Sequence, residues 1–349
     1  MNKKIKIGLI GCGAFGEGAH LSYLTKADNA EVVAICDINE KALMEASEKY
    51  GVKDVYTDYT QLLDRNDIEA VAIASPDQLH CEIACAAMKK GKHVMCEKPM
   101  ALTVEDCTEM IEVQKETGKK LMIGQISRLT PGFAEAKRLV DEGVIGELFF
   151  VESEYAHDYS HVSGMDSWRA DPLRHVVLGG ACHAVDLLRW IAGNPHEVTA
   201  YSNKKMIKAL PTDDCTIAIM RFPNNVIGKL FASSGCKGPY SMATRLMGTK
   251  GTIIINNTDP YITVYRGQVN TDSKLLDGAY TGEYNNEVQI RYPVELSNHN
   301  ISKEYQMFLD SLLFDKPLLA DGNEGLATVR ACRAIIQSAD ENRTITINY

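Results

Sequence analysis

Two stretches of the chain carry residue types whose spacing suits chemistry. The first is GCGAFG, where Gly11, Gly13 and Gly16 follow the apolar run KIKIGLI and lead into a helix-compatible segment. A second apolar run, EVVAICD, ends at Asp37, twenty-one residues after Gly16. Between a strand and a helix, glycines so spaced suit the pyrophosphate of a dinucleotide. Gly11 permits a tight turn, Gly13 admits close approach of the backbone, and Gly16 lets the helix pack on the strand, with Ala14 and Phe15 completing the loop. The helix N-terminus would add unpaired N–H groups and partial positive charge. Asp37 can accept hydrogen bonds from both ribose hydroxyls and would repel a 2′-phosphate, and Ile38 supplies no compensating cation. NAD is therefore expected rather than NADP.

The second stretch is LGGACHAVDLLRW. At about 100° per residue, Gly179, His183, Asp186 and Trp190 fall on one line of a helix, beside an apolar stripe of Leu178, Cys182, Val185 and Leu188. Two glycines at a helix start cost roughly 1 kcal/mol each against alanine. They are read here as clearing space for a ligand beside His183; a hydrogen-bonded core histidine is the alternative.

The elements that position these residues read as an alternation. AVAIAS (70–75) is strand-like, CEIACAAMKKG is a helix stopped by Gly91, HVMCEKP is a strand, and KLMIGQ a further one ending near Gln125. Strands alternating with helices predict a parallel, doubly wound sheet with right-handed crossovers, whose ligands bind beyond the carboxyl ends of the strands. Ser75-Pro76 and Glu97-Lys98-Pro99 stand at two such ends, and Gln125 at a third. Later runs (LFFVESEY, CTIAIMRF, VIGKLFAS, GTIIINN) alternate or are β-branched, with few helices between the last three.

At 349 residues the chain exceeds a usual single core, so two domains are expected, 1–124 and 125–349, with the final helices near 302–314 and 323–340 returning beside the first. The chain holds 37 Lys plus Arg against 46 Asp plus Glu, a net −9 without basic runs, which disfavours nucleic acid and anionic membrane as partners. None of the ten cysteines is spaced Cys-x-x-Cys; buried reduced thiols are expected, with a zinc or redox site as the alternative. His157, Asp158 and His161 lack a fourth ligand at suitable spacing, and no metal is expected. The N-terminal lysines precede an apolar run that Lys6 and glycines interrupt, and no run is long enough to span a bilayer, so the reading is a cytoplasmic protein.

GCGAFG, the strand-end Asp37, SPDQLH and above all CEKPMAL resemble the glucose–fructose oxidoreductase, inositol dehydrogenase and MocA family. RLTPGFAEAKRLVDEGVIGEL, DSWRADP, the GGxxHxxD segment and EGLATVRACRAIIQSA extend the resemblance over nearly the whole chain. It implies an α/β architecture: an N-terminal Rossmann domain and a C-terminal α/β domain with an open, mainly antiparallel sheet that mediates a dimer or tetramer. It implies cofactor contacts from the glycine turn, Asp37, Ser75, Pro76, His80, Glu97, Lys98 and Gln125.

For the chemistry, the resemblance points to Lys98 and His183: His183 exchanges a hydroxyl proton and Lys98 orients and stabilises the oxygen, while hydride moves to or from the nicotinamide. An unperturbed imidazole, with a pKa near 6.5, suits the proton task. Asp186, Arg128, Tyr155, His157, Trp168 and Arg169 fall in segments that border the substrate. Many relatives place an Asp four residues before the His; here that position is Gly179, and Asp158, Asp166 and Asp171 are candidate replacements. The implied activity is NAD-dependent oxidation of a secondary hydroxyl of a sugar, cyclitol or derivative, with room for a glycoside or nucleotide sugar. Two rivals remain: an enzyme with tightly held NAD that oxidises a sugar transiently for glycosidic cleavage or epimerisation, and an NAD-binding regulatory protein.

Overall fold

A computed structural model describes residues 3–160, 168–266, 289–296 and 300–349. They form two compact units, one built from residues within 3–126, 168–182 and 300–333, the other from residues within 127–160, 183–296 and 334–349.

The first unit carries six strands: β1 (Ile5–Ile10), β2 (Ala30–Cys36), β3 (Val55–Tyr56), β4 (Ala70–Ile73), β5 (His93–Cys96) and β6 (Leu121–Ile123). They pair in the order β3-β2-β1-β4-β5-β6, and each pairing is parallel. Central strands are covered on both faces, which is why β4 reads AVAI without a polar break and is buried throughout. Helices α1 (Glu40–Tyr50), α2 (His80–Lys89) and α3 (Val104–Thr117) follow strands as the alternation predicts. The side chains of Asn39 and Thr103 accept the Ala42 and Asp106 N–H groups and start α1 and α3, while Gly51 and Gly118 end them in the left-handed region.

Helix Ile301–Phe314 lies in this unit too. Its Ile301, Tyr305, Phe308 and Leu309 share one apolar core with Ile7, Leu9, Ile35 and Met95. Each such side chain contributes about 1.5–3 kcal/mol by leaving water.

Two local details depart from the sequence reading. After GCGAFG the helix widens into a π-helical run over Gly16–Leu21. The helix predicted through 178–190 is two pieces: a short one, Val176–Gly179, and α5 (Cys182–Ala192), which follows α4 (Pro131–Asp141) in chain order. Gly180 breaks it, with φ −121° and ψ −61° outside the helical region. Gly179 therefore does not share a line with His183; His183, Asp186 and Trp190 keep theirs within α5.

The second unit is built on a nine-stranded sheet: β7 (Leu148–Ala156), β8 (Glu197–Asn203), β9 (Cys215–Arg221), β10 (Ile227–Ser233), β11 (Ala243–Gly248), β12 (Gly251–Asn256), β13 (Tyr261–Arg266), β14 (Gln289–Pro293) and β15 (Ile345–Thr346). Its order is β14-β13-β12-β11-β7-β10-β9-β8-β15; β7 and β10 run parallel and the other pairs antiparallel. Burial alternates residue by residue along β9, as expected when one face is packed and the other open. All ten cysteines are unbridged, and all but Cys215 and Cys236 are buried. Among the described residues no helix is long and apolar enough to cross a membrane.

Candidate active site

The glycine turn in the first unit is shaped by backbone contacts. Gly11 has φ +101°, and a Cβ there would lie 2.5 Å from the Ala74 backbone. A Cβ on Gly16 would stand 2.0 Å from the Gly11 carbonyl oxygen, whereas one on Gly13 would meet nothing within 4 Å. The space over Gly13 thus stays open, flanked by exposed Ala14 and Phe15. Asp37 ties the second strand end to this turn: Oδ2 accepts the Cys12 N–H at 2.7 Å and Oδ1 the Asn39 N–H at 2.8 Å. Both carboxylate oxygens keep lone pairs for ribose hydroxyls. Ile38 beside it is 87% exposed. A cradle with one open glycine, one carboxylate and no adjacent cation fits NAD.

Farther along the same sheet edge, Ser75 and Pro76 are half-buried after β4. His80 is wholly buried, with Nε2 3.1 Å from the Ser75 carbonyl and Nδ1 2.8 Å from that of Pro99, so it links two strand-end loops rather than facing outward. Glu97 lies against Gly124, where a Cβ would sit 3.1 Å from its Oε1. Burial pushes its carboxyl up, but the neighbouring His20 and Lys98 outweigh that and hold it below the usual range. His20 sits 3.1 Å from Glu97 and 2.5 Å from the Tyr305 hydroxyl, both inside the core. Gln125 is buried, and its side-chain oxygen has no hydrogen-bond partner.

Lys98 is half-buried, and its ammonium lies 3.5 Å from the Gly179 carbonyl. The same carbonyl accepts from Arg174 Nη2 at 3.3 Å, and Arg174 Nε pairs with buried Asp77 at 2.6 Å. Here the expectation about the glycines is corrected. A Cβ on Gly179 would lie 2.5 Å from Arg174 Nη1, so the room that glycine leaves holds a guanidinium of the protein itself. Trp168, in a segment that the resemblance places beside the substrate, has the Arg169 and Arg174 guanidinium carbons 4.2 and 4.7 Å from its ring centre.

The second unit holds the remaining candidates. His183, 4% exposed, has Nδ1 3.0 Å from the Ser127 hydroxyl, and its ring stacks at 6.4 Å on Tyr155. Alongside, Arg128 donates from Nε and Nη2 to the two oxygens of Asp186, each at 2.7 Å, with both side chains buried. The two contacts are parallel: adjacent residues 127 and 128 grip positions one helical turn apart on α5. Asp186 is thus engaged by Arg128, and the pair fixes Ser127 against the imidazole. Tyr155, His157, Tyr159 and Tyr240 form an aromatic cluster with ring centres 4.6–6.2 Å apart, and the Tyr155 and Tyr159 hydroxyls lie 2.5 Å apart.

The replacement carboxylates proposed for position 179 are committed elsewhere or outside view. Asp158 pairs with Lys237 at 2.8 Å, and that hydrogen bond holds its carboxyl well below the usual range. Asp171 accepts from the Gln78 amide at 3.1 Å and the Leu173 N–H at 2.8 Å. Asp166 and His161 lie outside the described residues. Sequence reasoning missed Ser127, the Arg174–Asp77 pair and the His20–Tyr305 contact.

Two family models match the chain. An oxidoreductase family with an NAD-binding Rossmann fold covers residues 5–125, and the GFO/IDH/MocA C-terminal domain covers residues 133–254. An inositol 2-dehydrogenase from Saccharopolyspora erythraea is 30% identical over 269 residues, 75% of this chain and 76% of its own. The chain belongs to the Gfo/Idh/MocA family of oxidoreductases. A myo-inositol 2-dehydrogenase from Thermotoga maritima is 27% identical across 98% of each chain. A levoglucosan dehydrogenase solved with NADH and L-sorbose shares the fold, with a TM-score of 0.85 and 24% identity over 99% of both chains. As a Gfo/Idh/MocA member with an NAD-binding Rossmann domain, the protein is an NAD-dependent oxidoreductase.

Proposed function

We propose that the protein is a dehydrogenase of a secondary hydroxyl on a sugar, cyclitol or close derivative. In this reading Gly11, Gly13, Gly16 and Asp37 hold NAD, which when bound accepts or returns the hydride. His183 takes the hydroxyl proton, and the Lys98 ammonium donates a hydrogen bond to the substrate oxygen as negative charge develops there. The long Lys98–Gly179 contact of 3.5 Å is weak enough to exchange for a substrate oxygen. The relatives named for inositol and levoglucosan support the substrate class.

The observation that carries the reading is the Ser127–His183 contact. When the hydroxyl accepts the Nδ1 proton, Nε2 carries the lone pair that a base needs. Ser127 thereby acts as a positioning residue, doing for the imidazole what a carboxylate at position 179 would do. The open face of the second sheet supports a homo-oligomer of this cytoplasmic enzyme: Tyr201, Ile217, Ile219 and Ile227 are 67%, 43%, 57% and 46% exposed on neighbouring strands.

The test follows absorbance of reduced nicotinamide over a panel of polyols, glycosides and nucleotide sugars. Lys98→Ala and His183→Ala should each lower kcat at least about a hundredfold, with NAD affinity within severalfold of wild type. Ser127→Ala should lower kcat less and displace the limb of the pH–rate profile that reports the base. Near-normal turnover in His183→Ala would remove that residue from the mechanism, and product formed without net NADH would favour transient oxidation.

A further inference from the structure

The seam between α2 and α3 holds a cluster that hydride transfer does not use. Cys81 and Cys85, one turn apart on α2, have sulfurs 4.0 Å apart, and Glu109 Oε2 on α3 lies 3.9 Å from Cys81 Sγ. One ligand atom from each of the three falls within 4.8 Å of the others. The Asp106 carbonyl oxygen is 3.3 Å from Cys81 Sγ. Around Cys81 there are thus a second sulfur, a carboxylate and a carbonyl, and its one S–H can donate to only one of them at a time. Lone pairs outnumber protons in a seam where both cysteines are buried and Glu109 reaches solvent.

We propose that Cys81, Cys85 and Glu109 bind one thiophilic divalent cation, with zinc the ion they fit best. Tetrahedral zinc, with bonds near 2.3 Å to sulfur and 2.0 Å to oxygen, needs S···S of about 3.8 Å and S···O of about 3.5 Å. The two spacings from Cys81, 4.0 Å to Cys85 and 3.9 Å to Glu109, exceed those by a few tenths of an ångström, and the third pair lies within 4.8 Å, so rotation of the Glu109 side chain must close the site. Magnesium and calcium, which take oxygen ligands, do not suit two sulfurs. On binding, each thiol loses its proton to solvent as a zinc–sulfur bond forms, Glu109 binds as the carboxylate, and water or the Asp106 carbonyl completes the fourth position. The ion would tie α2 to α3. Because α2 begins with His80, which contacts the Ser75 and Pro99 carbonyls, it would also stiffen the base of the two strand-end loops.

The experiment uses the full chain stripped by chelator and titrated with zinc or cobalt alone, against a chromophoric competitor. Wild type should take up one equivalent at this site, its cobalt complex showing thiolate-to-cobalt charge transfer and tetrahedral visible bands, and zinc should raise Tm. Cys81→Ser/Cys85→Ser should lose the bands and the Tm shift. Glu109→Gln, a surface change that preserves the packing of both helices, should weaken zinc binding by about tenfold or more. Equal uptake by wild type and both variants, or a cobalt complex without thiolate bands, overturns the site.

Discussion

The two glycine turns that open onto helices are held by different materials. At GCGAFG the neighbours of the missing side chains are backbone: the Gly11 carbonyl faces Gly16, and the Ala74 peptide faces Gly11. Before α5 the neighbour of Gly179 is the end of a side chain, the Arg174 guanidinium, itself anchored on Asp77. Backbone fixed by a sheet cannot step aside, whereas a guanidinium on three methylenes can rotate. The first turn is therefore a rigid cradle, and the second is a side-chain assembly whose glycine is one replaceable part.

Gly16→Ala tests the rigid side and should have the largest effect. With a Cβ 2.0 Å from a carbonyl oxygen, helix and strand must part. A cost of about 3 kcal/mol is expected for forced overpacking. NAD affinity should fall about a hundredfold, since an ångström of displacement in a positioned site can cost that much. Titration of NAD by fluorescence, with urea unfolding alongside, reads both; unchanged affinity would mean that the cradle adapts.

Arg174→Met probes the side-chain assembly. It leaves the Asp77 carboxylate, whose side chain is 5% exposed, without its ion-pair partner. Breaking a buried pair from one side should cost about 3 kcal/mol. Adding Asp77→Asn should recover part of it, and a double-mutant cycle by urea unfolding would show the coupling; additive losses would mean the two residues act independently.

The same contrast explains what could be read from the sequence. The first turn was legible because every part is local or strand-bound: apolar runs mark strands, and glycine spacing with an acid at the next strand end marks the cradle. Five of the six parallel strands appear where the alternation put them; the edge strand β3, two residues long, is too short to leave a pattern. The second turn was not legible, because its contacts join residues far apart in sequence. Ser127 meets His183 across 56 positions, and Arg174 meets Asp77 across 97. Periodicity also counted Gly179 and Gly180 as helical positions, since it records which face a residue would take, not whether the backbone keeps helical dihedrals there.

His175, which caps the short helix before the glycines by accepting the Val177 N–H, makes that region sensitive to acid. Burial, with the nearby Arg333 charge, pushes its pKa down from 6.5 to about 4. Between those values the unfolded chain binds the proton and the folded one does not. The contribution is complete above pH 6.5 and is lost as pH falls toward 4. The loss should be about 3 kcal/mol by pH 4, read from urea midpoints at several pH values. His175→Asn, which keeps an acceptor for the cap but does not titrate, should flatten that slope; an unchanged slope would assign it to other groups such as His93, which burial also pushes to about 4.

Gly179→Ala should have the smallest effect, and its size decides whether the second turn is as replaceable as argued. The added methyl would sit 2.5 Å from Arg174 Nη1 and 2.7 Å from Cζ, so the guanidinium must swing away. Nε can stay on Asp77 at the cost of the 3.3 Å contact to the Gly179 carbonyl, which Lys98 still approaches. Alanine also recovers up to about 1 kcal/mol of helix propensity over glycine at the end of the short helix. The two terms nearly cancel, and stability should change by less than about 1 kcal/mol. Because Lys98 gains the carbonyl that Arg174 gives up, its ammonium would be held more firmly and KM should rise while NAD affinity stays constant. A loss as large as that of Gly16→Ala would show that Arg174 cannot move, and that the second turn is as rigid as the first.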